Sequence, residues 1–155
     1  EKLRGNDFRK LLKNMYGDRP AWSPRLTGVE RDRAIINVFT RLRYCSPRGR
    51  IAFEEKGAPG TQQAGLYPWY EVPGRAERDL KIVCGHWSTL GLFVGHGVHA
   101  IDTGAVWGGK LTALQLDTDE LRIVQVAGRD VPAAPPSPRP PHRPARAQPV
   151  RSTNS

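Results

Sequence analysis

"LKIVCGHWSTLG", Leu80 to Gly91, places a histidine where an apolar run ends. Four of the five residues from Leu80 to Cys84 suit a buried strand. Gly85 then frees the backbone, His86 follows, and Trp87 closes behind it. The carboxyl end of an apolar strand beside a glycine is a common seat for ligands in α/β architectures. The alternative is a capped, hydrogen-bonded core imidazole, and the two readings predict different surroundings for the ring.

Downstream of this stretch, further strands are expected at 97–102, 110–117 and 120–126, after a first at 80–86. "DTGAVWGG" joins the second to the third, with Trp107 packing over backbone in a hairpin, and "DTDE" makes a tight turn between the third and fourth. The third and fourth are apolar on both faces, which predicts a sheet covered on both sides. Asp102 precedes Thr103-Gly104. It reads either as a turn residue whose carboxylate accepts backbone N–H bonds or as an acceptor orienting a histidine ligand.

Upstream, 56–78 is a long Gly/Pro-rich loop carrying "LYPWYEVPG", a length more often functional than accidental. "VERDRAIINVFTRLRYC" predicts a helix, with Ala34, Ile35, Val38, Phe39 and Leu42 on its apolar face. Its end is ambiguous, because "RLRYC", "SPRG" and "RIAF" also read as a hairpin. An earlier helix lies in "GNDFRKLLKNMYGDRP", capped by Asn6 or Asp7, with Phe8, Leu11, Leu12 and Met15 on one face. Helices followed by a run of antiparallel strands predict an α+β fold that looks like half of a larger one.

From Val131 the composition changes to eight prolines and four arginines without an acid or an aromatic. Such a stretch buries too little apolar surface to offset its ordering entropy, so disorder is expected, with the domain at 1–128 and the tail at 129–155. The four arginines reduce the net charge of +9 to +5 for the rest of the chain. That excess is diffuse, favours polyanions such as nucleotide phosphates, and carries no nucleic-acid motif. Cys45 and Cys84 stand alone, against a zinc knuckle or a disulfide scaffold. No apolar run is long enough for a membrane span, and no signal peptide is evident, so the cytoplasm is the expected location. The chain does not start with methionine, and a piece of a longer protein is therefore expected.

Of the other histidines, His142 falls in the tail, and His96 and His99 flank Gly-Val at a strand start, so they diverge. The wording of the sequence goes further than its residue types. "INVFTRLRYC", "YPWYEVPG", "IVCGHWSTLG" and "AIDTGAVWGGKLTALQL" occur in that order. Together they resemble the carboxyl-terminal half of the symmetrical dinucleoside tetraphosphatases, a branch of the calcineurin-like metallophosphoesterases, over about residues 3–126. The resemblance implies half of a four-layer α/β/β/α sandwich with two divalent metals, manganese or cobalt, at the strand ends. It implies symmetrical hydrolysis of diadenosine tetraphosphate to two ADP.

In such chemistry two cations roughly 3.5–4 Å apart activate a bridging water for in-line attack. The family's GDxHG, GDxxxRG, GNHE and HAG motifs are absent here. His86 matches the late GH ligand, shielded by Trp87. Asp102, Thr103, Gly104 and Trp107 match the DTG…WGG block as site wall, and Arg41 and Arg43 become candidate phosphate anchors, with solvated helix-end charges as the alternative. With a single metal ligand, the chain alone is expected to be inactive and to supply no catalytic residue of its own. Two alternatives stay open: a serine/threonine protein phosphatase-like enzyme, and a basic RNA-interaction module using the tail. The last combines with the first reading if RNA capped with a dinucleoside polyphosphate is also a substrate. No DNA or membrane partner is expected, and the oligomeric state is not readable.

Overall fold

The computed structural model describes residues 2–76, 79–118 and 120–130. The expected disordered tail lies outside them, apart from Arg129 and Asp130. Arg129 still donates a backbone hydrogen bond to the Ala105 carbonyl at 2.9 Å, so ordered structure reaches that residue. Among the described residues no helix is long and apolar enough to cross a membrane.

Helix α1 spans Phe8–Asn14 and α2 spans Gly28–Arg41. Asp7 sits at the α1 N-cap without making a side-chain cap bond. No residue of α1 is buried, and Phe8 and Leu12 of its apolar face are exposed. Helix α2 buries Ala34 as expected, but its other buried residue is Asn37, and Phe39 points outward at 83% exposure. The buried stripe of α2 is therefore rotated from the purely apolar one. Arg33 and Asn37, one turn apart, face the 14–19 segment: Arg33 Nε donates to the Asn14 carbonyl at 2.8 Å, and Asn37 Nδ2 to those of Gly17 and Arg19 at 3.0 and 3.1 Å.

The helix stops at Arg41, and the hairpin reading of the next residues prevails. Strand β1 (Tyr44–Cys45) bridges Ile51 through a turn closed by the Gly49 N–H on the Ser46 carbonyl at 2.8 Å. The other side of β1 pairs antiparallel with β2 (Tyr67–Pro68).

The second sheet holds β3 (Ile82–Cys84), β4 (Phe93–Gly95) and β5 (Val98–Ala100) in the order β3-β5-β4. His96 and Gly97 both have positive φ, 51° and 71°, the backbone a two-residue hairpin between β4 and β5 requires. Strand β5 returns beside β3 in parallel, which corrects the expected all-antiparallel run. The thirteen residues between them, 85–97, are enough for the crossover that a parallel pair needs. Strands β6 (Asp102–Thr103), β7 (Lys110–Gln115) and β8 (Arg122–Ala127) form an antiparallel sheet.

The core gathers Tyr44, Tyr70, Trp87 and Val98, with Ile82, Cys84, Leu90 and Phe93 packed against them. Tyr44 meets Trp87 edge-on at 4.7 Å, and Tyr70 stacks on Phe93 at 4.5 Å, geometries that aromatic quadrupoles favour. The loop 56–66 is stapled to this cluster, because the Tyr44 hydroxyl and the Trp87 indole N–H both donate to the Gly57 carbonyl, at 3.2 and 3.0 Å. The cover expected on both faces of β7 and β8 is not supplied by the described residues. Leu111 pairs across the strands with Val126 and Ala113 with Val124, and Leu111, Val124 and Val126 are each more than half exposed.

Candidate active site

His86 lies two residues past the end of β3, exposed and with φ 73°. That left-handed conformation is natural for glycine and disfavoured for a side chain with a Cβ. Gly85 lies beside Asp102: a Cβ there would stand in ordinary contact, 3.5 Å from the Cβ of Asp102. The Ile101 N–H donating to the Cys84 carbonyl at 3.0 Å draws the two strand ends together. A strained histidine and a carboxylate thus meet at the ends of β3 and β6.

The electrostatics add two more side chains. The His86 imidazole, partly desolvated despite its exposed flank, is held below the usual histidine value, chiefly by that desolvation. Arg43 and, less strongly, Arg41 push it the same way, and Asp102 opposes them. Residues from α2, the β1 entrance, the β3 exit and the β6 start therefore share one local field. Arg43 is itself lowered by burial and by Arg41, and among the described residues it has no ion pair. Arg41 is anchored on three sides, by Asn37 Oδ1 at 3.1 Å, Asp18 at 3.0 Å and the Phe53 ring at 4.3 Å.

The remaining expected residues divide. The Asp102 carboxylate accepts the Gly104 N–H at 3.1 Å, an Asx-type turn, while its charge still reaches His86. Thr103 is half-buried; its hydroxyl donates to the Lys110 carbonyl and shares a 2.6 Å hydrogen bond with Thr112. Gly104 and Gly108, at φ 72° and 85°, bracket a single 3₁₀ turn of Ala105–Trp107. The expected hairpin is present, with Thr103 paired to Lys110, but its packed indole is corrected: Trp107 is 76% exposed on that turn. Trp87 is placed in the core, where its ring contacts are Tyr44 and Tyr70. His96 occupies the β4–β5 turn and His99 the middle of β5, so the two do not converge. Asn37 and Phe53 were missed. The signal for the former was a lone amide one turn before Arg41 in the helical pattern.

The donor set tests the fit of a dinuclear metal centre. Among the described residues no three His, Cys, Asp or Glu side chains converge. One imidazole and a neighbouring carboxylate do not hold two cations, and this chain alone does not fit such a centre.

No protein-family model matches the chain. Curated relatives do. Symmetrical bis(5'-nucleosyl)-tetraphosphatases from Xanthomonas campestris and Xanthomonas oryzae are 73% and 72% identical over 139 and 143 residues. These matches cover 90% and 92% of this chain but 43% and 45% of the relatives. One from Xylella fastidiosa is 64% identical over all 155 residues, 51% of its own length. The chain spans about half the length of the curated relatives it matches, and over that span it belongs to the symmetrical bis(5'-nucleosyl)-tetraphosphatase family.

Proposed function

We propose that this chain is the carboxyl-terminal half of a symmetrical dinucleoside tetraphosphatase that cleaves diadenosine tetraphosphate to two ADP. The reading is supported by the identity to proteins of that name and carried by one observation. Arg41 and Arg43, His86 and Asp102 come from three separate stretches of sequence, and the charges of the other three act on the one imidazole. In this reading His86 would be one donor toward a divalent metal, the other protein donors lying in polypeptide that the chain does not span. The metals, when bound, supply an activated water and charge neutralisation. Arg41 and Arg43 hold phosphate oxygens, and burial first, then Arg43 and less strongly Arg41, favour the neutral form of His86. Asp102 orients the imidazole, while Thr103, Trp107 and the buried Trp87 shape the wall and its backing.

The exposed apolar faces of α1 and of the β7–β8 sheet belong to the same proposal. In the complete protein they are covered by the other half, giving the four-layer sandwich. The test compares the 155-residue chain with a protein of the relatives' full length. ADP release from diadenosine tetraphosphate, with manganese or cobalt present, is expected only from the longer protein. Turnover by the 155 residues alone would overturn the assignment of His86 as one donor among many.

A further inference from the structure

Arg41 is not a free surface cation, and the groups that hold it point to a division of labour. Asn37 is 1% exposed, and every polar capacity of its amide is directed. Its two N–H groups go to the Gly17 and Arg19 carbonyls, which leaves Oδ1 as the acceptor for Arg41 Nη1. Two carbonyls on one side and a guanidinium on the other admit only this orientation of the amide. The Arg41 Cζ also lies over the Phe53 ring, 4.3 Å from its centroid. One amide oxygen and one ring thus hold the guanidinium from the protein side. The remaining contact is the Asp18 carboxylate on Nη2 at 3.0 Å, and Asp18 is largely exposed. An oxyanion thus already occupies the open side of the guanidinium, held by nothing else among the described residues.

We propose that Asn37 and Phe53 are positioning residues that pre-set Arg41 for a phosphate oxygen, and that Asp18 is the stand-in anion which the phosphate displaces. The inference rests on the reading of Arg41 as a phosphate anchor. A guanidinium oriented in advance loses less freedom on binding, so its fork contributes more to affinity. Asp18 competes with the ligand, whereas Asn37 and Phe53 assist it, and the two groups carry opposite signs in a binding experiment.

The experiment titrates a protein of the relatives' full length with inorganic tripolyphosphate and follows the guanidinium nitrogens of Arg41 by NMR. In the wild-type chain, slow rotation about the Nε–Cζ bond keeps the two Nη signals apart, and tripolyphosphate shifts them. Asn37→Ser and Phe53→Leu are expected to merge those signals and weaken binding about tenfold and threefold. Asp18→Asn is expected to tighten it. Phe53→Leu leaves the buried Asn37 network intact, so a folded variant is at hand even if Asn37→Ser does not fold. Unchanged Arg41 signals and affinity in folded Phe53→Leu or Asn37→Ser, while Arg41→Met loses binding, would overturn the positioning role and leave the anchor reading standing. Undiminished binding by Arg41→Met would overturn both.

Discussion

At His86 a side chain with a Cβ sits where the backbone asks for glycine. Left-handed residues of this kind cost about 1–2 kcal/mol and persist where the surroundings or a function hold them. Replacing His86 by glycine is expected to raise the stability of the chain by about 0.5–1 kcal/mol in urea unfolding, the relief of strain being partly offset by glycine's entropy. His86→Ala keeps the strain and is expected to give no gain. An unaltered midpoint for the glycine variant would mean that the conformation is not strained. The titration of the ring supplies a second check. Desolvation, then Arg43, lower its folded-state value below 6.5, so between that value and 6.5 the unfolded chain binds more protons. Stability from this group is complete above 6.5 and is lost as pH falls toward the lowered value. Arg43→Met is expected to raise the NMR midpoint of His86 and Asp102→Asn to lower it; the reverse signs would separate these side chains from the imidazole. The sequence showed His86 plainly, because a histidine ending an apolar run is a local pattern. It hid Asn37, whose importance lies in carbonyls from 17 and 19 that only the folded chain brings near.

At the scale of elements, local chemistry and the antiparallel β7–β8 pair were legible, and the β3–β5 pairing was not. The "SPRG" turn follows from short-range signals, Pro and Gly at fixed offsets, whereas the end of α2 at Arg41 was left ambiguous by the sequence. The parallel alignment of β3 and β5 depends on how a thirteen-residue crossover packs, and no single residue encodes that. Phe39 satisfied the helical period yet faces outward, since the polar grip of Arg33 and Asn37 on the 14–19 segment sets the rotation of α2. The glycines of "WGG" do encode structure. A Cβ on Gly109 would drive into the Thr103 carbonyl and stand 3.0 Å from that of Gly104, where β6, the 3₁₀ turn and β7 converge. Gly109→Ala is therefore expected to cost about 1–3 kcal/mol in thermal or urea unfolding and to disturb the Thr103–Thr112 hydrogen bond. Wild-type stability in this variant would show that the loop gives way without cost.

Taken whole, the molecule has an aromatic core on one side and uncovered apolar sheet on another. The prediction of a doubly covered sheet came from a sound pattern, Leu111 and Ala113 against Leu114 and Leu116, but the covering surface is not among the described residues. The same division governs the site: arginines, an imidazole and a carboxylate are gathered here, and among the described residues a full set of metal donors is not. Both observations, with relatives about twice as long, support the proposal that His86 works as a metal donor inside a larger enzyme. The most direct measurement is the rate of ADP release from diadenosine tetraphosphate by the full-length protein carrying His86→Ala, together with its bound metal. The account predicts a fall of at least about 100-fold with loss of one metal equivalent, beyond the usual cost of disturbing a ligand's partner. A rate within twofold of wild type at full metal content would contradict it.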